Sequence, residues 1–151
     1  MQGGLHEYRL SILEKHLDTF GHVNNASYLE ILEEARWDLI TRNGYGLDEV
    51  QRRGIGPVVL DVHLRFVREL RNRQAITVRS WVESYSGKIG RFAQQVLDDA
   101  GDLCCDAKFT IGLFDLTARK LIRPTPEWVK ALGLRPQDLA ADAEPLRAQG
   151  R

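Results

Sequence analysis

The side chains best suited to chemistry sit in one run, Leu17-Asp18-Thr19-Phe20-Gly21-His22-Val23-Asn24-Asn25-Ala26-Ser27-Tyr28, a polar turn with a single glycine that passes without a break into a long amphipathic segment. The run places one carboxylate, Asp18, a few residues before a predicted helix start, where unpaired backbone N–H groups can hold a developing negative charge. An acid or nucleophile beside an anion hole is the minimum equipment for acyl transfer.

The elements that must position this run follow from periodicity. Tyr8, Leu10 and Ile12 alternate with Arg9 and Ser11, which predicts a first strand over 8–13. After the turn, Tyr28, Ile31, Leu32, Ala35 and Leu39 recur at helical spacing, with Glu30, Glu33, Glu34 and Asp38 on the other face. Asn24 or Asn25 can cap this helix, and Asn43-Gly44 can stop it, giving about 18 residues or ~27 Å. Residues 47–53 read as a short helical or irregular connection, and Gly54-Ile55-Gly56-Pro57 as a turn. Strands are then predicted over 58–67, 75–83, 91–97, 103–114 and 120–123, with tight turns at Ser86-Gly87-Lys88 and at 98–102. One or two helical turns are expected over 127–132. The predicted class is α+β, an antiparallel sheet wrapped on one long helix. Residues 1–134 form the domain, and 135–151 have the composition of a frayed tail.

Bulk composition narrows the partners. The 151 residues suffice for one substantial core, and 43% hydrophobic with 28% charged residues is ordinary for a soluble globular protein. Lys+Arg and Asp+Glu both number 21, so no global field recruits nucleic acid or an anionic membrane. No apolar run approaches a membrane span, and no leader pattern opens the chain, so a cytoplasmic location is expected. Cys104 and Cys105 are adjacent in a predicted strand and read as two buried thiols, not as a disulfide or metal pair. His6, His16 and His63 lack metal-ligand spacing. Trp37, Trp81 and Trp128 are expected in the core or an interface, because no basic stripe accompanies them.

The pattern Asp18-x-x-Gly21-His22-Val23-Asn24-Asn25-x-x-Tyr28, followed by Glu33-x-Ala35-Arg36, resembles the signature of the hotdog-fold acyl-CoA thioesterases of the 4-hydroxybenzoyl-CoA thioesterase type. The likeness covers roughly residues 6–132. It implies a hotdog fold, a curved antiparallel sheet around one long helix, assembled as a homodimer or homotetramer with active sites at the subunit interface. It implies an acyl-CoA thioester as substrate, with coenzyme A present only as part of that substrate and no separate cofactor or metal. The family's catalytic carboxylate falls on Asp18, and the backbone N–H that faces the thioester carbonyl falls at about Asn25. Many members carry a second acid where this chain has His16, and an aromatic residue at the position of Asn25.

A thioester needs only a positioned oxygen nucleophile and a stabilised oxyanion, since its thiolate leaves readily. Asp18 can attack directly to give a mixed anhydride, or it can orient and deprotonate a water. A carboxylate at its reference pKa of about 4 is a weak base at neutral pH. His22 can orient water or substrate, protonate the leaving thiolate, or simply hydrogen-bond within the turn. Gly21, Val23, Asn24 and Tyr28 are assigned to substrate binding, although Asn24 also suits a cap and Tyr28 suits packing at the helix start. Glu33 and Arg36 stand at i,i+3 and are expected to pair on the helix. The basic residues Arg65, Arg68, Arg71, Arg73, Lys88 and Arg91 are candidates for the phosphates of coenzyme A, and Lys88 and Arg91, flanking a hairpin glycine, are those that most resemble the family's nucleotide-contacting region. The alternatives to an acyl-CoA thioesterase are an acyl-carrier-protein thioesterase using the same site and a non-catalytic acyl-CoA-binding module.

Overall fold

In the computed structural model, which describes residues 2–140, the first strand β1 spans Gln2–Ser11 and leads through a 3-10 turn, Glu14–His16, to the Asp18 loop. The strand is longer than its alternation suggested because a bulge between Gln2 and His6 breaks the period where it pairs with β3. Helix α1 then runs over Asn25–Arg42, 18 residues as expected. Asn24 is its cap: the Asn24 side chain accepts from the Ala26 N–H at 2.8 Å. The buried face carries Tyr28, Ile31, Leu32, Ala35 and Leu39, the residues whose spacing predicted it.

Helix α2, Leu47–Arg53, ends at Gly54, whose φ of 65° supplies the left-handed stop. The turn expected at 54–57 ends there. Ile55, Gly56 and Pro57 instead open β2, which spans Ile55–Phe66 and pairs with β5 from Ile55↔Asp115 to Phe66↔Cys105. Strand β2 is an edge strand, where a proline with no N–H to give is tolerated. Gly56 fits because the Val50 side chain packs where its Cβ would be, at 2.7 Å.

Strands β3, Ala75–Ser86, β4, Ile89–Asp98, and β5, Leu103–Asp115, follow as antiparallel neighbours. The sheet order is β1-β3-β4-β5-β2, and β6, Lys120–Ile122, pairs with β5 beyond the end of β4. Helix α3, Pro126–Ala131, closes one end of the core with Trp128 packed edge-on to Tyr45 at 5.5 Å. Residues 135–140 are held in place: Pro136–Asp138 form a 3-10 turn, and the Ala140 N–H donates to the Tyr85 carbonyl at 2.9 Å. The remainder of the expected tail, 141–151, lies outside the described residues.

One face of the sheet and α1 bury the core. Inside it, a polar tie fastens helix to sheet: Gln94 on β4, fully buried, donates to the Leu32 carbonyl at 3.0 Å and to Ser80 Oγ at 2.9 Å, and accepts from Arg36 at 3.0 Å. Cys104 and Cys105 are both buried free thiols. Burial pushes the Cys105 thiol up to about 12, so it stays protonated and unreactive at neutral pH. Among the described residues no helix is long and apolar enough to cross a membrane.

Candidate active site

The Asp18 loop is folded by its own backbone. The Asp18 N–H donates to the His22 carbonyl at 2.8 Å, the Gly21 N–H returns to the Asp18 carbonyl at 3.1 Å, and Leu17 bridges Val23. Gly21 sits at φ 82°, a left-handed geometry in which a side chain is strained. The loop is tied to the rest of the molecule through the segment after β2: the Val23 N–H donates to the Leu70 carbonyl at 3.1 Å, and His22 bridges Arg71.

Asp18 is half-buried, and one of its oxygens is committed. Oδ1 accepts from the Phe20 N–H at 2.8 Å and the His22 N–H at 3.2 Å, which fixes the plane of the carboxylate. No protein donor among the described residues reaches Oδ2. At the start of α1, the N–H groups of Ala26, Ser27 and Tyr28 are taken by Asn24, whereas that of Asn25 finds no acceptor among the described residues. Asp18 and Asn25 border one cleft of about 280 Å³ together with His22, Val23, Tyr28, Phe66, Val67, Arg68 and Glu69. A carboxylate with a free oxygen and an unaccepted helix-start amide therefore share one opening.

His22 is not turned into its own loop. Its Nε2 lies 2.9 Å from Glu69 Oε2, while Arg71 bonds the other oxygen of Glu69 at 2.8 Å and holds that carboxyl below the usual carboxylate range. Tyr28 is buried with its ring edge-on to Phe66 at 5.2 Å, forming the apolar wall of the cleft. Phe66, Val67, Arg68 and Glu69 are site residues that sequence reasoning did not reach as a group, because only the long-range bridge between 22–23 and 70–71 brings them to Asp18.

The basic residues separate into distinct places. Arg68 lines the cleft rim and donates to Asp102 at 2.9 Å; Arg71 pairs with Glu69, and Arg73 with Glu14 at 2.8 Å. Lys88 lies at the β3–β4 hairpin, and Arg91 bonds Thr110, which in turn donates to Asp61 at 2.8 Å. Both stand at the end of the sheet where Gly90 meets Ile111, whereas the cleft lies where Phe66 meets Cys105. Six residues of β5 separate those ends, about 20 Å at 3.3 Å per residue. Lys88 and Arg91 are therefore not brought to Asp18 within one subunit. The expected Glu33–Arg36 pair is also not formed: no carboxylate among the described residues lies within 4.0 Å of Arg36, which turns inward to Gln94 and the Phe109 ring. Burial in the core draws that guanidinium away from its helix neighbour.

Residues 13–132 match the sequence profile of the thioesterase-like superfamily. The chain belongs to that superfamily. This thioesterase-like protein is 34% identical over 108 residues to the long-chain acyl-CoA thioesterase FadM of Escherichia coli (strain K12), a match covering 71% of this chain and 81% of that one. The crystal structure of YbaW, a probable thioesterase from Escherichia coli, superposes with a TM-score of 0.74 at 29% identity, over 84% of this chain and 96% of that one. A Staphylococcus aureus protein, SAV2348, solved in complex with CoA, reaches a TM-score of 0.81 over 100% of this chain and 96% of that one; at 14% identity it shows the shared fold. The thioesterase-like chain is a thioester hydrolase of α+β hotdog architecture.

Proposed function

We propose that this chain hydrolyses acyl thioesters of coenzyme A at the cleft between the Asp18 loop and the start of α1. The observation that carries the reading is the pairing of a free Asp18 Oδ2 with an unaccepted Asn25 N–H on one opening. The acyl-CoA thioesterase named among its relatives supports the carrier. The thioester carbonyl oxygen lies against the Asn25 N–H and the positive end of the α1 dipole, which strengthen their hold as that oxygen becomes an oxyanion. An oxygen nucleophile adds to the carbonyl carbon: Asp18 Oδ2 itself, giving an anhydride that water then opens, or a water whose proton passes to Oδ2. The C–S bond breaks, and the thiolate departs and takes up a proton, for which His22, paired with Glu69, is the histidine that lines the cleft. Arg68 at the rim offers a cation to the nucleotide phosphates, and Tyr28 with Phe66 receives the apolar chain next to the carbonyl.

The working unit in this reading is at least a dimer formed along β2. That strand is a free edge of 12 residues, and Val59, Leu60, Val62 and Phe66 on it are all exposed. A long apolar edge is a template for pairing with another strand. Antiparallel pairing of two copies about the middle of β2 sets residues 57–59 of one against 62–64 of the other. The partner subunit's Lys88 then approaches the Asp18 cleft, so that lysine meets substrate across the interface. Thiol release from a panel of acyl-CoA esters tests the reaction class, and the same acyl group on acyl carrier protein tests the carrier. The reading expects turnover of the CoA esters to exceed that of the carrier-protein esters; the reverse order assigns the site to carrier protein, and binding without thiol release assigns it to a non-catalytic module.

A further inference from the structure

His22 is held from two sides. Its backbone N–H donates to Asp18 Oδ1 at 3.2 Å and its carbonyl accepts from the Asp18 N–H at 2.8 Å, while its ring Nε2 lies 2.9 Å from Glu69 Oε2. Glu69 is held as well: its other oxygen accepts from Arg71 at 2.8 Å, and the His22–Arg71 backbone bridge sets both of its partners side by side. The Arg71 guanidinium keeps the Glu69 carboxyl below the usual carboxylate range, so at neutral pH it is ionised and can only accept hydrogen bonds. The proton between the two side chains therefore belongs to Nε2. Nδ1 has no partner among the described residues and is the ring atom left to gain or lose a proton. Glu69 is exposed and His22 partly so, and an ion pair this open to water adds little to stability. What the pair fixes is the tautomer and the orientation of the ring.

We propose that Glu69 is a positioning residue: by accepting from His22 Nε2 it makes Nδ1 the atom through which the ring hands a proton to the sulfur departing from the Asp18 cleft. The proposal rests on the thioesterase reading above. The ring enters the step doubly protonated, with its Nε2–H on Glu69. As the C–S bond breaks, its electron pair stays on sulfur and the Nδ1 proton passes to that sulfur. The ring is left neutral, with its lone pair on Nδ1 and its Nε2–H still on Glu69, and the water consumed in hydrolysis returns the proton. Arg71 gives the arrangement its direction. A guanidinium donates and never accepts, so an amide in place of the carboxylate must give its oxygen to Arg71 and turn its NH2 toward the ring. Nε2 of a neutral ring then has to accept, which moves the proton to Nδ1, and a doubly protonated ring meets N–H against N–H.

The isosteric variant Glu69→Gln tests this by ring nitrogen-15 spectra and by kinetics. The chain has four histidines, so the spectra are simple, and His22→Asn identifies the His22 resonances. His63, exposed and without a hydrogen-bond partner among the described residues, is the reference for a ring free to exchange tautomers. At a pH where the rings are neutral, His22 Nδ1 of the wild type should resonate as an unprotonated nitrogen, beyond the averaged position of His63, and should become protonated in Glu69→Gln. In thiol release from decanoyl-CoA, kcat of the variant should fall about 10²-fold, with KM within about threefold and the urea midpoint unchanged. An aryl thiolate departs without a proton, so with the decanoyl thioester of para-nitrothiophenol the loss should shrink to within about threefold. A wild-type His22 that matches His63, a His22 spectrum unmoved by Glu69→Gln, a kcat retained on decanoyl-CoA, or equal losses on the two esters overturns the proposal. If neither ester releases thiol, the reading above falls and the ring spectrum decides the Glu69 assignment alone: Nδ1 unprotonated in the wild type and protonated in Glu69→Gln supports it, and any other pattern overturns it.

Discussion

In the proposed reading Asp18 does two jobs, which two substitutions can separate. Its Oδ1 holds the loop through the N–H groups of Phe20 and His22, at 2.8 and 3.2 Å, and its Oδ2 faces the cleft. In Asp18→Asn the carboxamide oxygen can keep both loop contacts, while the reactive oxygen becomes an NH2 group with no lone pair to offer. In Asp18→Ala both functions go. Two backbone donors then rely on water at a half-buried site, which costs about 1–2 kcal/mol, the range of a lost side-chain cap. Asparagine should stay within about 1 kcal/mol of the wild type.

The activities should not follow the stabilities. Removing a positioned acid–base or nucleophilic oxygen costs about 10³-fold or more in turnover, equivalent to ~4 kcal/mol of barrier. Both variants are therefore expected to fall by that amount in kcat for thiol release, with urea midpoints displaced only in Asp18→Ala. Urea melts and thiol-release kinetics on the same preparations give both readouts. Turnover of Asp18→Asn within about threefold of the wild type would refute the assignment. So would a graded loss of activity that tracks stability across the two variants, since that pattern belongs to a residue that only shapes the loop.

Gln94→Leu should cost about 2–4 kcal/mol in urea unfolding, because it leaves Ser80 and an Arg36 N–H without partners in the core; adding Ser80→Ala should recover part of the loss. Val62→Lys places a charge on the exposed β2 edge, so the wild type is expected to sediment as a dimer or larger, and the variant as a monomer with at least about tenfold less thiol release. A monomeric wild type with full activity would refute the interface. Stability should fall as pH rises from 9 toward 12. Burial raises Cys105 from 9.0 to about 12, and Tyr28 and Tyr85 from 10.0 to about 12, so the folded state keeps protons that the unfolded chain has released. That contribution is whole below the unfolded values and lost on the way up to the folded ones, and Tyr28→Phe should flatten the decline in urea midpoint.

Elements whose burial repeats at a regular period were legible in the chain. Tyr28, Ile31, Leu32, Ala35 and Leu39 mark α1 from Asn25 to Arg42 because one helical face meets the sheet along its whole length. The alternation of β3 was equally direct, since one face is core and the other is polar. Gly54-Ile55-Gly56-Pro57 misled because its residue types are turn formers. Gly54 does turn the chain, but Gly56 and Pro57 sit in β2 for reasons that only packing and edge position supply. The burial of Arg36 was hidden for a similar reason: helix periodicity shows Glu33 within reach, but not the Phe109 ring and Gln94 waiting on the sheet.

The candidate site divides along the same line. Its local half, Asp18 to Tyr28, is one continuous segment in which a turn, a cap and a helix start follow from residue types at fixed offsets, so the sequence displays it whole. Its other half, Phe66 to Glu69, runs from the last residue of the edge strand into the segment after it and has no period of its own. The Val23 N–H to Leu70 carbonyl bond and the His22–Arg71 bridge carry it to the cleft, across more than 40 positions of chain. Glu69 shows what that distance conceals. A lone glutamate in a charged loop reads as solvated surface, yet it fixes the ring of the histidine beside Asp18. Lys88 shows the converse, since its hairpin signal was clear and the residue stands far from the Asp18 cleft of its own subunit. In the proposed dimer, pairing of the β2 edge with a second copy is what would bring such a residue toward substrate.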